Sequence, residues 1–288
     1  MHLKVAKGIL SASNGMNISR GCIHGCIYCD SRSRCYQIDH DFEDVQIKSN
    51  APSLLEDALK RKRNKCVIGT GSMSDPYINI PENLANIRAC LEIIDKYECG
   101  IAIQTKSDLI LRDLDILIRI NQKAKCIVQT TLTTFDEDLC KKIEPNVCGT
   151  KRRYKMLKVM RENGIQTIVW LCPFLPFIND TEENLRGLLN YCADAGVYGI
   201  LFWGIGMTLR EGSRDFFYQK LDEHFPGMKD VYQKKYGYKY EITSDNNDAL
   251  NKMLRATCEK SGIVYGTDNL FKYMNTFEEK QKKQIELF

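Results

Sequence analysis

The spacing of apolar residues along the chain switches repeatedly between two patterns. Short runs rich in β-branched residues read as strands: "GMNI" (15–18), "CVIG" (66–69), "GIAIQT" (100–105), "CIVQTTL" (126–132), "TIVWLC" (167–172) and "GILFWGI" (199–205). Between them apolar residues recur at helical spacing, as in Leu84, Ile87, Leu91 and Ile94, then Leu114 and Leu117, then Leu185, Leu188, Leu189 and Cys192. Helix-start residues fall just after strand ends: Ser107 with Asp108, Thr134 with Asp136, and the acidic run Asp180, Thr181, Glu182, Glu183. Six successive βα units predict an α/β fold with a parallel sheet and helices outside it, either an open doubly wound sheet or a closed or partial barrel. Both arrangements gather functional residues at the C-terminal ends of the strands.

After Leu209 the βα rhythm is lost. Helices are expected around 214–224 and 245–261, followed by the short run "GIVYG". The predicted organisation is a βα body over 1–209, an extension packed on it over 210–275, and a charged tail over 276–288. The predicted strand ends are the cysteine-rich loop, "GSMSDPY", "TKSD", "TTLTT", "CPFLPF" and "GIGMTL".

With 43% hydrophobic and 27% charged residues the chain falls in the soluble globular range, and its longest apolar runs are too short to span a membrane. The N-terminal "MHLKVAKGILSASNG" lacks the apolar core of a secretory signal, so a cytoplasmic location with reduced thiols is expected. A net charge of +4 says little about partners. Basic residues concentrate at 60–65, 151–161 and 229–240, the last interleaved with tyrosines, and each stretch reads first as a solvated helix face.

Thirteen cysteines in a reduced chain are not a disulfide framework. Cys66, Cys126, Cys172 and Cys192 sit among apolar neighbours and read as small core residues. Cys22, Cys26 and Cys29 stand apart, three thiols in one compact loop, "SRGCIHGCIYCDSRSRC". A structural zinc site normally takes four protein ligands. An iron–sulfur cubane held by three thiolates instead leaves one iron open for another ligand, unless Cys35 closes the fourth position. "GTGS" (69–72) lacks the Gly-Lys-Ser/Thr ending of a phosphate loop, and His24 reads as a loop-shaping or solvent-facing residue.

Cys-x3-Cys-x2-Cys after the first strand of a βα series, with Tyr28 before the third cysteine, resembles the signature of the radical S-adenosylmethionine (SAM) enzymes. That resemblance implies a partial (β/α)6 barrel and a [4Fe-4S] cluster on Cys22, Cys26 and Cys29. It also implies SAM on the open iron, cleaved after one-electron reduction to a 5'-deoxyadenosyl radical that abstracts a substrate hydrogen. A primary carbon radical must form beside its target and away from water, which a barrel mouth allows.

Within the superfamily the chain is similar to the spore photoproduct lyase-like branch, and closest in its cysteine loop to the group called radical SAM mobile pair protein B. In that comparison Ser74 and Asp75 of "SDPY" look like the pair for the SAM ammonium, Lys106 like the partner of its carboxylate, and Thr131 and Arg153 like further SAM contacts. Ser72 occupies the position from which the lyase's cysteine returns a hydrogen atom, a role a serine hydroxyl fills poorly. Tyr28, Cys35 and Cys172 are the substitutes the sequence offers, and Tyr28 also reads as a packing residue beside the SAM adenine.

The resemblance implies nucleic acid as the substrate, with peptide or small-molecule modification as an alternative enzymatic reading and a non-catalytic Fe-S nucleic-acid-binding protein as the other alternative. It further implies a reductant such as flavodoxin or ferredoxin and a second radical SAM protein of the mobile pair as partners. Finally, Gln284-Ile-Glu-Leu-Phe288 resembles the peptide by which bacterial DNA-processing enzymes dock on the replication sliding clamp.

Overall fold

A computed structural model describes residues 1–280. The chain opens with three short strands, β1 (His2–Lys4), β2 (Gly15–Met16) and β3 (Ser19–Arg20). After the cysteine loop come β4 (Gln46–Lys48) and α1 (Ala51–Lys60), whose Pro52 suits the first turn because its missing N–H is not needed there. The βα series then runs β5 (Val67–Thr70), α2 (Pro81–Lys96), β6 (Gly100–Gln104), α3 (Leu114–Lys123) and β7 (Cys126–Thr131). It continues with α4 (Glu137–Ile143), α5 (Thr150–Glu162), β8 (Gln166–Trp170), α6 (Glu182–Ala195) and β9 (Gly199–Leu201). The helix starts read from the sequence are real caps: Asp136 accepts from the amides of Asp138 and Leu139, and Thr181 from that of Asn184.

The remainder forms β10 (Gly206–Thr208), α7 (Ser213–His224), α8 (Met228–Tyr236), β11 (Glu241–Thr243), α9 (Asn247–Ser261), β12 (Val264–Tyr265) and α10 (Thr267–Asn275). The central sheet has the order β12-β9-β8-β7-β6-β5-β2, with every neighbouring pair parallel. The run "GIVYG" thus supplies a seventh strand beside β9. Its two paired residues are too few for a period-2 pattern to show.

Alternation along the strands divides the core in two. Ile68, Ile101, Ile103, Val128, Val169 and Ile200 point outward and pack against the helix layer, where Ile87, Leu91, Leu117, Met156 and Leu188 are buried. Val67, Ala102, Ile127, Ile168 and Leu201 point inward and meet Leu270 and Met274 of α10, which fills the concave side of the sheet. The polar ends of the strands above this floor are left to form a site.

Two basic stretches are less solvated than their composition predicts. Arg153, in the basic α5, is fully buried, and Tyr232 and Tyr236 of α8 belong to a core with Ile27, Leu175 and Phe217. Tyr232 also donates to the Pro176 carbonyl at 2.7 Å, so its phenol is satisfied where it is buried.

Candidate active site

The cysteine loop is shaped before any cofactor is considered. Gly21 has a φ of +79°, and a side chain there would meet the Phe42 carbonyl at 2.4 Å, so only glycine lets the chain turn into Cys22. The Cys22 amide then bonds the Phe42 carbonyl at 2.9 Å and the Ile27 amide the Ile143 carbonyl at 3.0 Å. Asn146 closes the loop from the far side, its side chain donating to Ile23 O at 2.8 Å and its amide to His24 O at 3.1 Å.

Cys22, Cys26 and Cys29 line one cavity of about 90 Å³, with His24, Ser72, Met73, Ser74, Asp75, Gln104 and Lys106 in its wall. These residues come from the cysteine loop and the C-terminal ends of β5 and β6, as the βα pattern predicts. Gly71, at φ +98°, permits the approach of those two strand ends: a Cβ there would lie 1.9 Å from the Gln104 carbonyl.

Ser74 and Asp75 are both buried, and both are already bonded within the protein. Ser74 donates to Gly21 O at 2.6 Å and shares a 2.9 Å contact with Ser19, tying the strand end to the turn before Cys22. Asp75 accepts from Thr105 Oγ1 at 2.6 Å, from the Lys106 amide at 2.7 Å and from the Tyr77 amide at 2.9 Å. The pair therefore fixes the "TKSD" loop against the cysteine loop. His24 is not solvent-facing: it is 7% exposed, with Nδ1 3.4 Å from Asp75, and burial lowers its pKa despite that carboxylate.

Lys106 is the cation of the cavity. Its ammonium makes no hydrogen bond or ion pair among the described residues and lies 5.7 Å from the centre of the Tyr28 ring. Burial alone would push its pKa down, but the negative charge of Cys26, Glu144, Cys29 and Asp75 outweighs it and the net shift is upward. Burial also raises the thiols, Cys22 to about 12 with Asp75 adding to the effect, and Cys26 further.

Tyr28, Glu144, Arg153 and Cys140 form a buried network. Glu144, fully buried, pairs with Arg153 and accepts the Tyr28 phenol proton. Arg153 also donates to Thr131 O at 2.7 Å and to Cys140 Sγ at 3.1 Å. Burial would raise the Glu144 carboxyl, yet the charges of Arg153 and Lys106 hold it low; burial and Glu144 together hold the Tyr28 phenol well above its ordinary value. Tyr28, Thr131 and Arg153 are thus all outside the cavity wall, and Tyr28 is held by this network, its ring 5.7 Å from the Lys106 ammonium. Glu144, which belongs to the "EP" stretch (144–145) that carries the resemblance together with Arg153 but was given no role, is its hub.

Cys35 lies elsewhere, exposed on a short 3-10 turn with its sulfur 3.4 Å from Arg210 Nη1. Cys172, just beyond β8, is half-buried with its thiol pushed up to about 12 by burial, an effect the nearby Lys106 charge opposes. Among the described residues no group of three His, Cys, Asp or Glu side chains converges to hold a single metal ion.

An uncharacterised protein of Methanocaldococcus jannaschii is 34% identical over 234 residues, 81% of this chain and 84% of that one. An uncharacterised protein of Mycobacterium tuberculosis is 28% identical over 229 residues, which span 77% of this chain and 66% of the mycobacterial protein's length. Among solved structures, spore photoproduct lyase complexed with dinucleoside spore photoproduct superposes with a TM-score of 0.66 at 15% identity, covering 91% of this chain and 80% of the lyase. A variant of that lyase with bound AdoMet and dinucleoside spore photoproduct gives 0.62 at 14% identity, covering 88% and 75%. Likeness at that identity establishes the fold. The profile of the Radical SAM superfamily matches residues 16–190, which contain the three cysteines, Lys106 and the strands that carry them, and the chain accordingly belongs to that superfamily of enzymes, which use a [4Fe-4S] cluster and S-adenosylmethionine.

Proposed function

We propose that Cys22, Cys26 and Cys29 hold the [4Fe-4S] cluster and that this enzyme acts on a nucleic acid, in DNA repair or base modification. The observation that carries the site assignment is that three thiols and the Lys106 ammonium, without a hydrogen bond or ion pair among the described residues, line one cavity at the strand ends. Three thiols that line one cavity without converging on a single ion suit a polynuclear cluster, whose irons sit on separate corners. Bound there, the cluster and SAM would supply one-electron chemistry for hydrogen-atom abstraction from the substrate, given a reductant such as flavodoxin or ferredoxin.

The chain's own residues position and enclose that chemistry. Lys106 offsets the negative charge of the thiolates and is free to receive the SAM carboxylate, while Asp75 and Ser74 hold its loop and the cysteine loop in register. Arg153 and Glu144 act through Tyr28 and the Thr131 carbonyl, as positioning residues. Ser72 in the cavity wall argues for a reaction other than the lyase's own hydrogen return.

Nucleic acid is favoured by likeness to a lyase seen with a dinucleoside photoproduct. The test is to load the enzyme anaerobically and supply deuterated single-stranded or damaged DNA. Deuterium should pass into 5'-deoxyadenosine; with SAM cleavage unresponsive to every polynucleotide and no transfer, the substrate reading fails. Gln284–Phe288 lies outside the described residues, and its reading as a clamp-docking peptide, like a mobile-pair partner, rests on sequence alone. A peptide of residues 279–288 that fails to bind a bacterial sliding clamp would remove the former.

A further inference from the structure

A second, larger pocket of about 460 Å³ lies beside the cysteine loop, walled by the N-terminal sheet. That sheet has the order β1-β4-β3, with Lys4 level with Lys48 and Arg20 level with Gln46. Ile47, between Gln46 and Lys48, is fully buried on the opposite face, so alternation puts Gln46, Lys48, Lys4 and Arg20 on one face together. Lys7 completes the set. Four cations and no carboxylate are among the residues that line the pocket.

Like charges on adjacent strands repel, so this face costs stability as it stands. The protein does not relieve it internally. None of Lys4, Lys7, Arg20 or Lys48 has an ion pair among the described residues, and Lys48 reaches only the Gly8 carbonyl, at 3.4 Å. Arg20 uses one nitrogen on Tyr36 O and Gln37 O, at 2.7 and 3.3 Å, and its others have no hydrogen-bond partner among the described residues. Asp44 is nearby in sequence but is engaged by the N-terminal amine and His2.

The segment bearing the lysines is nevertheless fixed. Asn50 bonds both the amide and the carbonyl of Ala6, at 2.8 and 2.9 Å, and the Ser49 amide bonds Lys4 O at 3.0 Å. Burial, with the Arg20 charge, holds the Lys48 ammonium below its ordinary value. Met73 lines both this pocket and the cysteine cavity, and Gly21 in its wall directly precedes Cys22.

We infer that this pocket is a phosphate-binding site, occupied by the phosphodiester backbone of the polynucleotide whose reacting unit is presented at the neighbouring cavity. The polynucleotide source rests on the nucleic-acid reading above; a free nucleotide would offer the same chemistry. The two are separated by titrating the full chain, without SAM, with a fluorescein-labelled 12-mer of single-stranded DNA and, separately, with pyrophosphate. The triple variant Lys4→Gln/Lys7→Gln/Lys48→Gln should bind the oligonucleotide at least about 10-fold more weakly at 0.1 M salt and lower the slope of log K against log salt by about two, as loss of three phosphate contacts requires. Its melting curve should show that it folds, and Arg61→Gln/Lys62→Gln/Arg63→Gln, on an exposed loop, should bind like wild type. Equal losses in both triple variants, or none in the first, would overturn the site. Pyrophosphate binding that depends on the pocket lysines, with no oligonucleotide binding by wild type, would keep the phosphate site and overturn its polynucleotide source. Neither titration uses the cluster, so both are independent of the radical chemistry.

Discussion

Replacing Arg153 by methionine removes one member of a pair in which both side chains are fully excluded from solvent. The Glu144 carboxylate would then remain buried with only the Tyr28 phenol and the Cys140 thiol as donors, and the Thr131 carbonyl would lose its 2.7 Å partner. Breaking a buried ion pair from one side costs about 3–5 kcal/mol because the other charge is left uncompensated. At roughly 2 °C per kcal/mol for a large domain, the apo protein should melt about 6–10 °C lower. Replacing both residues, as Glu144→Leu/Arg153→Met, removes the stranded charge and should recover more than half of that loss, giving a coupling of at least about 2 kcal/mol in a double-mutant cycle. Anaerobic thermal or urea melts of the four proteins supply the measurement. A single variant within about 1 kcal/mol of wild type, or strictly additive losses, would refute the buried-network argument.

Lys106→Met should leave cluster content unchanged and weaken SAM binding by about 1.5–3 kcal/mol, the loss of one charge-assisted bond, as read by equilibrium dialysis. Glu144 has a folded-state pKa below its unfolded value, so its contribution is complete above the unfolded pKa and is lost as pH falls through the folded one. Below about pH 5, wild-type stability should therefore fall with acid more steeply than that of Glu144→Gln, and parallel slopes in urea melts across that range would contradict it. Gly71→Ala forces a methyl group against the Gln104 carbonyl and should lower both melting temperature and cluster loading, measured as iron and sulfide per chain; full loading at wild-type stability would show the turn tolerates a side chain.

The cysteine loop and the helix caps were legible because each depends on local spacing, three thiols in eight residues and a polar side chain before a helix, whereas Lys106 was singled out by the family resemblance. The six strands were likewise visible from runs buried on both faces. Glu144 and Arg153 were not legible as a unit, since pairing joins a loop after α4 to a helix whose basic composition mimics a solvated face. Of the two roles read for His24, loop-shaping or solvent-facing, burial excludes the second, and the Asp75 that faces it comes from a different strand end, out of reach of local spacing. α10 gave little signal because a helix of nine residues is too short for its apolar positions, Leu270 and Met274 among them, to register as a helical period. The basic face of β1, β3 and β4 was hidden because its three strands are too short for alternation to register and come together only in the folded chain.

The central claim is that the thiols of Cys22, Cys26 and Cys29 hold the cluster that cleaves SAM. Its most direct test is 5'-deoxyadenosine formation by the anaerobically reconstituted chain with dithionite, measured by chromatography for wild type, Cys22→Ala, Cys26→Ala, Cys29→Ala and, as a control outside the cavity, Cys35→Ala. Wild type and Cys35→Ala should produce it at comparable rates and the other three should produce none; turnover that survives loss of any one of the three thiols would contradict the assignment.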